Sequence, residues 1–417
     1  MLRQYEYMKY IRNPLYGYID VTDAELSVIG MPAVQRLRCI QQLGLSSAVY
    51  PGATHSRFEH SLGVMHLAGR LSESLGLSER ETQAYRLAGL LHDVGHAPFS
   101  HATEAIVEDE LGLSHEDQSC RIVRGIANAL GDEFEADPDL VIDAIRGEAQ
   151  YNIIAGDVDV DRLDYLRRDA IETDIPHGEI DTDTIIRFAQ LRDGDVVFSY
   201  KALEAIQSMF SARASMNVSV YQHHTSRIVE TMLRRAVMRF FTDTEYDPTA
   251  LLQWDDRQLH CHLLEYEGLA TGLYGVSEGE DGSLMAPTAS VADSGLYGRI
   301  STRNLYKRAK LIGVNDIGYD GLKEIEQSVD DPITLEREIA EDADVDPESV
   351  LVELPRTPSN QLPDVGILMD ETVEAFSELS SLPYTLSESE WRTTYLGVYT
   401  APSQREQVGR VVASMFE

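Results

Sequence analysis

Twelve histidines punctuate the chain, and nine of them lie in or near two bursts: His55, His60, His66, His92, His96, His101 and His115, then His223 and His224. The densest run is HDVGHAPFSH, from His92 to His101. A lone histidine on an apolar helix face is ordinarily a satisfied core residue. A His-Asp pair that ends an apolar helix, followed by two more histidines within nine residues, is different. Burying so many titratable groups without partners is costly, so the pattern points to a metal ion or a charged ligand. Neighbouring helix residues point about 100° apart, so His92 and Asp93 can share one ion only at a bend or a helix end. Gly95 and Pro98 supply such a break. An imidazole and a carboxylate suit Mn, Fe, Zn or Mg-like ions once further ligands arrive from other helices. His60 in RFEHS and an acid of GDVDVDRLDY are the candidates, but Asp157, Asp159, Asp161 and Asp164 crowd that stretch. Spacing alone leaves the choice among them open, and a solvated acidic helix face competes with it.

The elements that must carry these residues read as helices from about residue 22 to 240. Leu62, Met65, Leu67, Ala68 and Leu71 share one face, as do Ala84, Leu87, Ala88, Leu90 and Leu91 just before HDVGH. Gly63, one turn after His60, lets another helix approach. Further helices are predicted over Asp157 to Arg168 and Leu203 to Phe241, with a small hairpin entering Val196 to Tyr200. Residues 275–298 are rich in Gly, Ser, Ala and acid, and read as a loop or linker. Beyond them, strands are predicted over Ser349 to Leu354 and Thr394 to Thr400, and helices over Asp370 to Leu379 and Ser403 to Phe416. The fold class is therefore mostly α, a helical core over 1–274 followed by a small α+β module over 299–417. No chemistry is visible in that module; packing or subunit contact is its expected task.

Seventy acidic residues against 35 basic ones give a net charge of −35, and only five of the basic residues are Lys. Such a surface repels nucleic acid and anionic membranes, which excludes a general polyanion binder. Because the acids are spread along the whole chain, adaptation to a high-salt (halophilic) cytoplasm is preferred over an acidic face for a basic partner. Three widely spaced cysteines form neither a disulfide framework nor a zinc ribbon. The first residues lack the apolar stretch of a signal peptide, and no run approaches a membrane span, so a soluble cytoplasmic protein is expected.

The segments IRNPLYGYIDV (11–21), QRLRCIQQLGLSSAVYPGATHSRFEHSLGVMHLAG (35–69), AGLLHDVGHAPFSH (88–101), SHEDQS (114–119), DVDVDRLDYLRRDA (157–170) and VYQHHTSRIVE (220–230) share an order with one family. Together they resemble the HD-domain superfamily of metal-dependent phosphohydrolases, and within it the deoxynucleoside triphosphate triphosphohydrolases of bacteria and of the SAM-and-HD type. RNLYKR (303–308) resembles a later motif of the same family, and no segment of this sequence resembles a SAM domain.

The resemblance implies an HD helical core and four metal ligands, His60, His92, Asp93 and Asp161. It implies a divalent ion that polarises phosphate oxygens and activates water. His101 matches the general acid, Glu104 the acid that orients it, and His96 and His115 the histidines that hold the α-phosphate. Arg57, Arg162 and Arg213 match phosphate contacts, with Arg162 where the best-known relatives carry Lys. Gln42 and Asp169 match readers of the 3′-hydroxyl. Tyr165 and Tyr221 match residues against the sugar, and Gln222 and His223 fall near the base. Asn217 stands where the vertebrate pattern has a histidine. Gln35 and Arg38 match residues that bind an activating nucleotide between subunits of a homo-oligomer, although Gly30 replaces the aspartate that reads guanine there. An exposed helix face is the competing reading of QRLR. The implied reaction is hydrolysis of a dNTP to deoxynucleoside and inorganic triphosphate. The alternatives are hydrolysis of another nucleotide phosphate ester, such as a monophosphate or signalling nucleotide, and a non-catalytic nucleotide sensor.

Overall fold

The computed structural model describes residues 9–269, 277–278, 284–285, 295–329, 331–358, 363 and 365–416. Most of the expected linker 275–298 lies outside the described residues; its described parts are a short antiparallel pair and the start of a helix. The chain clusters into two compact units. Unit 1 comprises Met1–Ser219, Pro248–Asp256 and Leu362–Tyr384, and unit 2 comprises Val220–Asp247, Arg257–Gln361 and Thr385–Glu417.

Unit 1 opens with the antiparallel hairpin β1 (Lys9–Asn13) and β2 (Gly17–Val21). Helices α1 (Asp23–Ile29), α2 (Pro32–Arg36), α3 (Arg57–Leu75), α4 (Glu79–Leu91), α5 (His101–Leu111), α6 (His115–Leu130), α7 (Pro138–Arg146), α8 (Val160–Thr173) and α9 (Thr182–Arg187) follow. The ends of these helices are written in the sequence. The backbone N–H of Ser56 donates to Glu59 at 2.8 Å to start α3, and Gly76 closes it at a φ of 73°. Ser78 and Glu81 form the same reciprocal cap on α4. Asp159 begins α8 by accepting the Arg162 amide at 2.7 Å. The α3–α4 pair is the heart of the unit, with Val64, Met65, Leu67, Leu87, Leu90 and Leu91 fully buried. Strands β3 (Ala189–Arg192) and β4 (Asp195–Ser199) form the expected hairpin, followed by α10 (Leu203–Met216).

Unit 2 contains α11 (His224–Asp243), most of α12 (Asp256–Tyr266), the pair β5 (Ser277–Glu278) and β6 (Leu284–Met285), α13 (Leu296–Ser301), β7 (Lys307–Gly313), α14 (Val314–Ser328), α15 (Pro332–Asp342) and β8 (Val350–Glu353). The hairpin β9 (Gly366–Met369) and β10 (Thr372–Ala375), with the short α16 (Phe376–Leu379), returns to unit 1. There β9 pairs parallel to β4, giving the order β10-β9-β4-β3. After α17 (Leu382–Thr393), β11 (Tyr395–Thr400) is the central strand of the antiparallel sheet β7-β11-β8 in unit 2, and α18 (Arg405–Met415) ends the chain. Ile312, Ile339, Val350, Val352, Leu396, Val398, Val408 and Val412 form a dry core for this sheet and its helices.

The fold is mostly α, with a helical core and C-terminal strands and helices, as expected. Two elements differ. The single helix predicted over Leu203 to Phe241 is two, because the widened turn Asn217–Tyr221 interrupts the backbone before α11 starts at His224. The helix predicted over Asp370 to Leu379 is instead β10 and the four-residue α16, since Asp370 turns at a φ of 39° and pairs the flanking residues as a hairpin. Among the described residues, no helix is long and apolar enough to cross a membrane.

The α3–α8 crossing depends on Gly63. A Cβ there would lie 1.9 Å from Asp164 Oδ2 and 2.6 Å from Arg168 Nη2, both held in a buried ion pair. Gly63→Ala is expected to destabilise the protein by about 1–3 kcal/mol, read as a lower urea midpoint; an unchanged midpoint would show that the crossing relaxes freely.

Candidate metal and phosphate site

Residues from three segments of unit 1 converge on one point. His60 lies in α3, where the helix is buried on nearly all sides. His92 and Asp93 follow directly on α4, in the turn that the chain must make there. Gly95 permits that turn to press on α6, since a Cβ would stand 2.3 Å from the His115 carbonyl oxygen. Ser119 of α6 then ties it down, accepting the Gly95 amide at 2.9 Å and donating to the His92 carbonyl at 2.6 Å. Asp161 comes from the first turn of α8.

The two imidazoles are oriented from behind. His60 Nδ1 is 2.8 Å from Asp164 Oδ1, and His92 Nδ1 is 2.9 Å from the Gly89 carbonyl. Each ring is thereby turned so that Nε2 faces the other donors, the arrangement that outer carboxylates and carbonyls impose on metal-binding histidines. His60 Nε2 is 2.9 Å from Asp161 Oδ1 and 3.8 Å from Asp93 Oδ2. His92 Nε2 is 3.3 Å from Asp93 Oδ1 and 3.5 Å from Asp161 Oδ1, without a hydrogen bond of good geometry although it is buried. His60, His92 and Asp93 have ligand atoms close enough to hold one ion. Among the four crowded aspartates, geometry separates the roles. Asp159 caps α8, Asp164 backs His60, Asp157 belongs to the preceding loop, and Asp161 approaches the imidazole nitrogens.

The electrostatics agree with a cation at this point. Burial alone would lower His60, yet hydrogen bonds to Asp161 and Asp164 push it up to about 10. His92 is raised against burial by the charges of Asp93 and Asp161. Burial opposes ionisation of Asp93, but Arg57, His92 and His96 hold it well below the usual carboxylate range. Asp161 is likewise lowered against burial by both imidazoles. The negative potential that keeps protons on these rings favours a divalent cation in their place. The donor set, the orphaned His92 Nε2 and the fixed ring orientations fit such an ion.

A second cluster adjoins the first through Asp93. His96 Nε2 is 3.2 Å from Asp93 Oδ1, and the His96 ring stacks on His115 with centroids 4.0 Å apart. Glu104 bridges two histidines, bonding His101 Nδ1 at 2.8 Å and His115 Nδ1 through its other oxygen. Against burial, Glu104 raises His115, whereas burial and Arg57 drive His96 well down and leave it neutral. His101 is the exposed member, with 66% of its side chain accessible.

The remaining candidates divide into several groups. Gln42 and Asp169 meet through His55: the Gln42 amide donates to the His55 carbonyl at 3.0 Å, and His55 Nε2 is 2.8 Å from Asp169 Oδ1. Tyr165 places its ring 6.5 Å from His60, and the charges of Arg213 and Arg162 act on its hydroxyl. Arg57 is buried against Asp93 at 2.6 Å and Ser100 at 2.7 Å. Arg162 donates to the Gly156 carbonyl. Arg38 is exposed, lies 3.7 Å over the Phe58 ring and donates to Gln35 at 2.8 Å. Tyr221, Gln222 and His223 belong to unit 2, where Gln222 accepts from Arg227 at 2.6 Å and His223 Nδ1 accepts the Thr225 amide at 3.2 Å. Sequence reasoning counted Asp164 only among the four competing acids and gave His55 no role. Asp164 lies one helical turn beyond Asp161 and four residues before Arg168, so the three can share a helix face.

Removing a central donor tests the metal assignment. His92→Ala is expected to lower the divalent metal recovered with the purified protein at least tenfold, measured by elemental analysis; full retention would exclude His92 as a ligand.

Comparison with known proteins places this geometry. A model described as the HD domain matches residues 57–170, and one described as an HD associated region matches 180–275 and 276–417. An uncharacterized protein of Methanocaldococcus jannaschii is 31% identical over 95% of this chain and 80% of its own length. The deoxynucleoside triphosphate triphosphohydrolase SAMHD1 homolog of Dictyostelium discoideum is 36% identical over 55% of this chain and 48% of its own, so the chain spans about half of that relative. The crystal structure of a phosphohydrolase from Bacteroides thetaiotaomicron superposes with a TM-score of 0.72 at 25% identity, over 94% of this chain and 99% of that one. The HD pair at the end of α4, the donors around it and these matches lead to one conclusion: the chain belongs to the HD-domain phosphohydrolase family.

Proposed function

We propose that this chain hydrolyses deoxynucleoside triphosphates to deoxynucleoside and inorganic triphosphate, using a divalent ion held by His60, His92, Asp93 and Asp161. The observation that carries the reading is the adjacency, through Asp93, of that donor set and the Glu104-centred histidine relay. Similarity to the Dictyostelium triphosphohydrolase supports the substrate class. A divalent ion bound there, manganese being the proposed choice, supplies Lewis-acid polarisation of a phosphate oxygen. His115, raised by Glu104, carries positive charge toward a phosphate, and the neutral His96 ring stacks against it. His101 has Nδ1 held by Glu104, leaving Nε2 to protonate the leaving oxygen. His55 fixes Asp169, which with Gln42 reads the 3′-hydroxyl. Tyr165 bounds the sugar, and Arg162 and Arg213 take phosphate charge.

We further propose a homo-oligomer in a salt-rich cytoplasm, with the C-terminal module in subunit contact and an activating nucleotide at Gln35 and Arg38. A second reading, hydrolysis of a smaller phosphate ester, is favoured by one observation. Arg57 and Arg162 are already engaged, with Asp93 and with the Gly156 carbonyl, so the phosphate-facing charge fits a monophosphate as well.

Purified protein with Mn²⁺ at high salt, offered each dNTP and its ribonucleotide with and without a second nucleotide, is expected to release triphosphate in one step from the deoxy forms. Stepwise orthophosphate would sink the reading, and turnover of monophosphates alone would establish the second one. The relay carries its own pH signature. Glu104 raises His115, so Glu104→Gln lets that ring lose its proton at lower pH. The alkaline limb of the kcat profile should then move toward acid; an unmoved limb would remove Glu104 from the relay.

A further inference from the structure

The most strained backbone beside the site is the turn before α5. Phe99 and Ser100, neither of them glycine, have φ of 57° and 52°, and Ser100 has ψ of −122°. Such conformations persist only where the surroundings over-determine them. The strain matters because α5 starts at the next residue, and the Glu104 amide bonds back to the Ser100 carbonyl at 3.1 Å. The position of this turn therefore sets the positions of His101 and Glu104.

What fixes the turn comes from more than 150 residues later in the chain. Asp256, 6% exposed, accepts the Phe99 amide on Oδ1 at 2.7 Å and the Gln41 amide on Oδ2 at 2.9 Å. The Gln41 carbonyl accepts from Ser100 Oγ at 3.2 Å, and Ser100 Oγ accepts from Arg57 Nε at 2.7 Å. Arg57 in turn holds Asp93. Two residues before Asp256, the Trp254 carbonyl accepts Arg36 Nε at 3.0 Å, and Arg36 Nη2 reaches the His96 carbonyl at 2.9 Å. The short segment from Trp254 to Asp256 thus grips the 96–100 loop at both ends.

We infer that Asp256 is a positioning residue for the phosphohydrolase reaction: its carboxylate bridges two backbone amides and so sets the turn that carries His101 to His96 and Glu104 to His115. The chemistry of the side chain is specific to that task. Two buried amides pointing at one group need two acceptor oxygens, and a carboxylate supplies both. An amide of the same shape supplies one, and sets its NH₂ against the other N–H. Asp256 touches none of the proposed metal ligands, so its loss should leave the ion in place. The inference rests on the proposed role of His101, and the experiment separates the two.

Asp256→Asn and Asp256→Ala are compared with the wild type in three measurements on the full chain: amide hydrogen exchange, recovered divalent metal, and kcat and KM for the nucleotide turned over. Exchange at Phe99 and Gln41 should rise at least tenfold in Asp256→Asn while α3 amides keep their rates. Metal content should match the wild type, and kcat should fall tenfold or more at a KM within twofold. Unchanged exchange at Phe99, a uniform rise along the whole chain, or a kcat loss that only follows lost metal would each overturn the inference. If Asp256→Ala fails to fold, Asp256→Asn decides alone. A wild type that hydrolyses no nucleotide would defeat the functional proposal, while the exchange and metal measurements still judge Asp256.

Discussion

His60 stands between two aspartates, Asp164 at 2.8 Å on Nδ1 and Asp161 at 2.9 Å on Nε2, and much of unit 1 is arranged to make that contact possible. An imidazole in a dry helix pair is favourable only if both nitrogens are satisfied, and the carboxylates that satisfy it must be satisfied in turn. Asp164 meets this by collecting Arg168, Tyr16 and His60 at once. That convergence brings α3, α8 and the turn of the first hairpin to a common point, and it requires Gly63 so that α8 can come close. Asp161 is left the more open, with 33% of its side chain accessible. A buried acid completes the anchoring, and a half-open one faces whatever enters.

The same logic extends along Asp93. It is held down by Arg57 on one oxygen and approached by His92 and His96 on the other. One carboxylate therefore links the metal-type donors to the histidine relay. A displacement of the 93–101 loop would disturb both clusters together, which explains why that loop is tied through Ser119, Arg36, Arg57 and Asp256 rather than left to its own hydrogen bonds. The strained φ values at Phe99 and Ser100 are the cost of turning so tightly from Asp93 into α5.

How much of this was legible in the sequence follows from which forces leave a local trace. Helix caps do, so Ser56 and Ser78 announce their helices. The His92-Asp93 pair does as well, because two adjacent side chains able to ligate a metal, at the end of an apolar helix, have few other uses. The choice of Asp161 over Asp157, Asp159 and Asp164 left none. All four are close on α8 or its entrance, and only the third dimension separates a cap from an anchor and from the acid that faces the imidazole nitrogens. Asp256 was invisible for a stronger reason: its partners are backbone amides, which carry no residue identity. The break after α10 was missed because NVSVY continues the apolar pattern. The β9–β10 hairpin was missed because ETVEAF fits either period, and the decision belongs to β4, far away in sequence.

The net charge of −35 sets a further condition on any anionic substrate. At low ionic strength the surface field opposes its approach, whereas the cations of the site act only at contact. Screening separates the two. Above roughly 0.1 M salt, surface charges more than about 10 Å away are largely hidden, while groups in direct contact inside the fold are screened far less. Arg57 and Arg168 are buried against Asp93 and Asp164, so salt leaves their pairing almost untouched. Arginine suits that position better than lysine because its fork keeps two bonds aligned and its charge survives burial. A chain with five lysines in 417 residues that places arginine beside its site thus has an entrance field tunable by salt and an interior that is not.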